Sequence, residues 1–350
     1  MAKNIFKTYL YDLAINQHMN LILTLIILII FSYLLQLLAK KLKIPNVVAL
    51  ILAGLIISFP AIKSYLVGDN SLFIFNLGDF ALICLMFMAG LESSSRSLYN
   101  ERKDAIFITI FAALTPLALG FITFKLLGFS TLVSFIVGIC MSITAEATNA
   151  RVLMDLRKIK TKVGSAMMDA GIIDDVLGLS LFLIITYILK SNYLREDILI
   201  VGAILAFFAG IMAENYLGRK HHSIKLIEKP LSLLVIPFFF ISMGINFNIK
   251  SLLFNPALLL IIIFIAIIGK IAGTFMAKPF TRFSWKQLHL IGWGMNSRGA
   301  IELALALIAF RSSLIPTELY SSLVLMALIT TLIFPFILAK MIKTNPSLMR

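Results

Sequence analysis

The chain has 350 residues, 60% of them hydrophobic and 14% charged, with a formal net charge of +14. A mean hydropathy of +0.99 lies far outside the range of a soluble domain and excludes one as the body of the protein. The positive charge does not point to nucleic acid, because the basic residues are spread over six loops with little aromatic interleaving. The composition implies an all-α polytopic membrane protein.

Eleven apolar stretches of transmembrane length follow one another, centred near Ile27, Ile51, Ile83, Ala113, Cys140, Asp175, Leu205, Phe238, Ile263, Glu302 and Ile329. The first is too long for a signal peptide and lacks a clear small-residue cleavage site, so it reads as a span. The loops after odd-numbered spans, with the C-terminal tail, carry 21 of the 31 Lys and Arg residues, and the N-terminal segment with the other loops carries 8. The positive-inside rule then puts the N-terminus outside the cell membrane and the C-terminus in the cytoplasm. The loops are short, so residues 1–350 read as one membrane domain with no soluble regulatory domain.

The fourth span begins near Asp104, and its successor carries a polar interruption at Thr144, Glu146, Thr148 and Asn149. The ninth begins near Ser251 on the opposite side, and its successor carries another at Asn296, Ser297, Arg298 and Gly299. Two three-helix units of opposite orientation, each with a broken middle helix, are how inverted-repeat transporters build a site at mid-membrane. They would occupy about 104–189 and 251–342, against a scaffold of about 20–92 and 197–247. A broken turn exposes carbonyls and amides that the bilayer cannot satisfy, so it must face protein or a watery cavity, where carbonyls can ligate a cation. The alternative is an intact helix in which Thr144, Thr148 and Ser297 bond back to preceding carbonyls.

The sixth span holds Asp174 and Asp175 side by side. An ionised group at that depth costs about 2.5 to 3.5 kcal/mol on the lenient insertion scales, so two together imply a use. At a rise of about 1.5 Å per residue, Asp174, Glu146, Lys270, Arg298 and Glu302 all fall about 12 to 24 Å from the cytoplasmic ends of their spans. With Asp175 these make four carboxylates and two cations, a formal charge of −2 that calls for protons or bound cations. Neighbouring helical residues point about 100° apart, so one aspartate is expected to hold a protein cation and the other to face a cavity. A carboxylate that takes either a proton or a metal cation is the minimal chemistry of an exchanger.

Lys270, flanked by Gly269 and Gly273, is the expected internal counter-charge, with snorkelling to the interface as the alternative. Arg298 and Glu302, four apart, are either a structural pair or ion contacts. Glu146 is either a third titratable site or the neutralising partner of Arg151 or Arg298. Asp79, Glu92 and Asp169 lie near span ends, where solvated or capping roles are expected. His18, His221, His222 and His289 fall in loops or at span ends and offer no metal-ligand set. Cys84 and Cys140 sit in apolar spans and form no disulfide or metal spacing.

At these residues the chain resembles the cation:proton antiporters of the sodium/proton exchanger superfamily, in particular its second, largely bacterial branch. Gly171 to Gly178, with the aspartate pair, is similar to that family's ion-binding helix. Gly269-Lys270 is similar to its lysine helix, and Gly294 to Gly299 to its second broken helix. Ala53-Gly54-Leu55, Met88 to Glu92 and Pro237 to Gly244 match further signatures, so the likeness runs from about Pro45 to the end. It implies that Asp175 is the ion and proton carboxylate, that Asp174 pairs with Lys270, and that Thr144 lines the site, with Asn149 and Ser297 accessory to it. An aspartate pair with a lysine also implies electrogenic exchange.

The chain departs from the pattern in two places. Glu146 stands where the family usually has an uncharged residue, and one span, Asp197 to Ala213, replaces the usual three between the aspartate helix and the Lys220 loop. The family's homodimer is therefore expected without part of the scaffold that normally forms it. The reading that follows is a secondary transporter exchanging Na+, K+ or Li+ for protons at Asp175 by alternating access, with no cofactor and no enzyme chemistry. The alternatives are a receptor or assembly protein that kept the fold, and a sodium-coupled solute symporter.

Overall fold

The computed structural model describes residues 20–42, 44–92, 102–189, 196–217, 222–248, 250 and 255–349. Among these residues every regular element is helical. In chain order they are α1 (Leu21–Leu42), α2 (Asn46–Ile57), α3 (Ser71–Glu92), α4 (Arg102–Leu126), α5 (Thr131–Ser142), α6 (Glu146–Asp155) and α7 (Lys162–Leu189). There follow α8 (Glu196–Leu217), α9 (His222–Pro230), α10 (Ile236–Ile245), α11 (Pro256–Met276), α12 (Trp285–Gly294), α13 (Ala300–Arg311) and α14 (Thr317–Thr344).

Each of the eleven apolar stretches is helical, and the two expected to be broken are interrupted, at 143–145 between α5 and α6 and at 297–299 between α12 and α13. Seven helical runs among the described residues are long and apolar enough to cross a membrane unaided. Large apolar side chains such as Ile22, Leu126 and Phe264 point outward, as they must where the solvent is lipid. Helix starts follow local chemistry. Ser130 accepts a hydrogen bond from the Val133 amide at the head of α5, Ser284 and Gln287 form a reciprocal capping box on α12, and α11 opens on Pro256.

The helices fall into two packed groups. In the first, α3 packs on α8 and α10, and α2 on α1 and α10. The α3–α8 contact is backbone on backbone: a Cβ on Gly90 would lie 1.9 Å from the Phe207 carbonyl oxygen, and one on Gly210 would lie 2.1 Å from that of Phe87. In the second group, α4 packs on α5, α7 and α11, while α11 and α13 pack on α14. The helix carrying Lys270 is seated the same way, because a Cβ on Gly269 would come within 2.7 Å of Pro116 Cα in α4. The groups meet where α13 touches α3 and α8, and where α14 touches α2.

One expectation about depth is corrected. Asp169, expected near water at a span end, is fully buried in α7. The first turns of α7 are covered by α12 and by the short helix Pro346–Met349, so the end of the apolar run is not the protein surface. His18, His221, Lys220 and Ser251 lie outside the described residues, as does the side chain of Glu92.

Candidate functional site: a helix crossing with a carboxylate-lined cavity

The two helix interruptions cross each other and are bonded together. The Ala145 amide donates to the Ser297 carbonyl at 2.9 Å, and the Ser297 hydroxyl donates to the Ala145 carbonyl at 2.9 Å. Thr144 Oγ1 donates to the Met295 carbonyl at 3.2 Å. The crossing is tight because residue 299 has no side chain: a Cβ there would sit 2.5 Å from Ala145 Cβ. Gly299 itself is extended, with φ −153°, so its role is steric rather than conformational.

Arg298 lies fully buried at the centre of the crossing. Its Nη1 donates to the carbonyls of Ile143 (2.8 Å) and Met295 (3.4 Å), and its Nη2 to those of Met141 (2.7 Å) and Ala266 (3.2 Å). These oxygens include the orphan acceptors at the C-terminal ends of α5 and α12, where the helix dipoles also favour a cation. Thr331 of α14 ties down the arginine backbone, accepting from its amide at 3.1 Å and donating to its carbonyl at 2.6 Å. The carbonyls freed by the breaks, expected as cation ligands, are thus largely occupied by protein donors. Arg298 reaches Glu302 only through Nε, at 3.6 Å from Oε2, which is longer than a hydrogen bond.

The aspartate pair divides. Asp174 Oδ2 accepts from Lys270 Nζ at 2.9 Å, and both residues are fully buried, so Lys270 does not snorkel to the interface. Asp175 turns to a small cavity of about 60 Å³ whose walls also include Thr144, Glu146, Thr148 and Glu302. Glu146 and Glu302 each stand in the first turn of a half-helix, α6 and α13, where the positive end of the dipole favours a carboxylate. Gly171 of α7 makes room for Glu146, since a Cβ there would lie 3.1 Å from Glu146 Cγ. Asn149 is buried beside this wall but is not among the residues lining the cavity.

The cavity shares the wall residues Val47, Ala89, Thr148 and Ala300 with a wider vestibule of about 340 Å³. The vestibule reaches Gln36, Asn46, Arg151 and Ser232, at the helix ends joined by the basic loops. At about 60 Å³ the inner cavity fits a monovalent ion and falls well short of the ~300 Å³ of an organic-ligand pocket, which weighs against the symporter alternative. Among the described residues no group of three or more His, Cys, Asp or Glu is placed to hold a metal ion. His289 accepts from Trp293 Nε1 at 3.0 Å within α12. Cys84 and Cys140 are free thiols.

Toward the opposite helix ends, contacts join the two helix groups. Arg311 of α13 forms an ion pair with Asp79 of α3 and lies 5.3 Å from the Phe75 ring centre. Tyr320 of α14 stacks on Phe310 at 4.6 Å and donates through its hydroxyl to the Met243 carbonyl of α10 at 2.8 Å. The Asn248 amide donates to Ser321 Oγ at 3.2 Å. Asp79, expected to be solvated, is thus a paired residue. Sequence reasoning passed over Thr331, Arg311 and Tyr320, for which the only available signals were the Thr330-Thr331 pair and an arginine at a span end.

Comparison with known proteins places this arrangement. A family model described as "Sodium/hydrogen exchanger, transmembrane" matches residues 25–205 and 198–344. The Na(+)/H(+) antiporter of Enterococcus hirae is 26% identical over 357 aligned positions, which cover 86% of this chain and 92% of that protein. The Na(+)/H(+)-K(+) antiporter GerN of Bacillus cereus is 24% identical over 352, covering 85% of this chain and 90% of the relative. The structure of the sodium proton antiporter MjNhaP1 from Methanocaldococcus jannaschii superposes with a TM-score of 0.64 at 19% identity, covering 92% of this chain and 96% of that one.

In the alignment with the Enterococcus protein, about 301 residues of this chain face 357 positions, leaving about 56 without a counterpart, room for two helices of ~20 residues and their loops. The two segments matched by the family model meet at residues 198–205, in the α8 region where the sequence has one span in place of three. With the family model matched across both breaks, the aspartate pair and the lysine helix, the chain belongs to the sodium/hydrogen exchanger family, a family of multi-pass membrane transporters rather than enzymes.

Proposed function

We propose that the protein exchanges a monovalent cation for protons across the cell membrane by alternating access, with Asp175 as the carboxylate on which the two compete. The observation that carries this reading is the division of the pair: Asp174 is taken by Lys270, while Asp175 lines a small cavity together with Thr144, Glu146 and Glu302. Thr144 lines the site, and Lys270 holds Asp174 in place. Asn149, Ser297 and Arg298 keep the crossing intact around it.

The group containing α4, α5, α7 and α11 to α14 moves against the group containing α1 to α3, α8 and α10. The N-terminus is outside and the C-terminus cytoplasmic, so the vestibule, on the side of the basic loops, opens to the cytoplasm. Exchange is electrogenic, with more protons than cations per cycle.

The test uses the purified protein in liposomes carrying a pH gradient, challenged in turn with Na+, K+ and Li+. Collapse of the gradient by at least one cation, lost in Asp175→Asn, is the expected result. A native protein inert to all three, or an Asp175→Asn variant as active as the native one, would overturn the proposal.

A further inference from the structure

Glu302 is the least satisfied charged group of the cavity. It is fully buried in α13 and lines the chamber that Asp175 faces, yet neither carboxylate oxygen has a hydrogen-bond partner. Its neighbour Arg298 is not a conventional partner. Two of the guanidinium nitrogens are spent on four backbone carbonyls, and the third, Nε, stays 3.6 Å away without a hydrogen bond of its own. A buried carboxylate left in this state is destabilising unless it takes up a proton or a cation.

The charge count of the layer points the same way. Asp174 is balanced by Lys270, and Arg298 supplies one further positive charge. Asp175, Glu146 and Glu302 supply three negative ones, a formal sum of −2 for these six groups that two added positive charges would neutralise. Asp175 can take only one. Around Glu302 the charged groups are Lys270 of α11 and Arg298, with Asp175 of α7 and Glu146 of α6 on the cavity walls; the Cys140 thiol of α5 faces it as well.

Building on the exchange reading above, we infer that Glu302 is a second proton-carrying carboxylate. It is protonated on the leg in which Asp175 carries a proton, and it gives its proton to the cavity water when a cation occupies Asp175. The layer is then formally neutral on the proton leg and singly negative on the cation leg. The extra proton of an electrogenic cycle travels on Glu302, and the Lys270–Asp174 pair stays closed.

The stoichiometry is read in proteoliposomes by finding the membrane potential at which net flux stops at fixed proton and cation gradients. Glu302→Gln is expected to exchange with one proton fewer per cation than the native protein, whereas Lys270→Gln, if it transports, keeps the native ratio. A Glu302→Gln variant with the native ratio, or loss of the extra proton in Lys270→Gln alone, would overturn the assignment.

A second measurement needs no variant that transports. Infrared difference spectra of the native protein with 13C-labelled glutamate, taken on adding the cation that drives exchange, should show a protonated glutamic acid band disappearing. Glu146→Gln, which removes the other glutamate of the cavity, should leave that band in place. A glutamic acid band that does not respond, or none at all, overturns the inference. Glu302→Gln should remove the band, and a band that survives in that variant overturns the inference as well. Loss of all exchange in the native protein bears on the exchange reading instead, because the spectra report glutamate protonation rather than transport.

Discussion

Ala145 and Ser297 exchange two hydrogen bonds, each 2.9 Å, at the point where the two interrupted helices cross. The contact joins two strands of irregular backbone that a bilayer could not otherwise satisfy, and it holds both half-helix starts at one cavity. Gly299 allows the approach. In Gly299→Ala the added methyl would meet Ala145 Cβ at 2.5 Å, so exchange should fall at least tenfold and stability by about 1 to 3 kcal/mol, the usual cost of overpacking. Ala145→Gly in the same protein should restore much of both. Thermal unfolding in detergent and pH-gradient assays on the two variants provide the check, and a double variant no better than the single one would refute the steric account.

Arg298 should not tolerate replacement by lysine. Lysine keeps the charge, but its compact ammonium cannot span the carbonyls of Met141, Ile143, Met295 and Ala266 that the planar fork reaches. Each buried acceptor left without a donor costs about 1 to 3 kcal/mol, so Arg298→Lys and Arg298→Gln are expected to be destabilised to similar extents. If Arg298→Lys melts like the native protein, charge alone is what the crossing needs.

Lys270 and Asp174 form a fully buried pair, and such pairs cost more to break than to remove. Lys270→Gln leaves a buried carboxylate uncompensated and should lose about 3 to 5 kcal/mol. Adding Asp174→Asn should recover a large part of that loss, with a coupling of opposite sign to the single effects. Denaturation of the four proteins of this cycle gives the coupling directly.

The vestibule makes a prediction about sidedness. With Cys84 and Cys140 replaced by serine, a single cysteine at Ala89 or Ala300 should react with a membrane-impermeant thiol reagent from the cytoplasmic face, and a cysteine at Phe75 should not. Protection of Ala300→Cys by the transported cation would place the ion at the inner cavity. Labelling of Ala89→Cys from outside only would reverse the orientation read from the loops.

Much of this architecture was legible from residues. Among the described residues each apolar stretch that hydropathy located is helical, because lipid imposes the same apolar demand on each, and two polar interruptions in matching positions announced the breaks. That Lys270 meets one of the two aspartates was legible for a similar reason, because few charges lie in the layer; that the partner is Asp174 was implied only by the family resemblance. The role of Arg298 was not, because its partners are backbone carbonyls, which look alike in every sequence. Asp169 was misjudged because apolar length measures membrane depth and cannot register that Pro346–Met349 folds over the start of α7. The Asp79–Arg311 pair joins two span ends far apart in the chain, and nothing in either neighbourhood names the other.

The Asp79–Arg311 end has a bearing on energy economy. An exchanger that opened at both ends at once would let ions run down the gradient that drives it, wasting stored work with no exchange in return. At the end away from the vestibule, one ion pair, the Tyr320–Met243 bond and the Asn248–Ser321 bond join the two helix groups. Disruption of that seal, as in Asp79→Asn, is expected to show first as slippage, with protons crossing when no cation is supplied, while exchange itself continues. A cell carrying such a variant would spend respiration or ATP to hold a gradient that the native protein preserves.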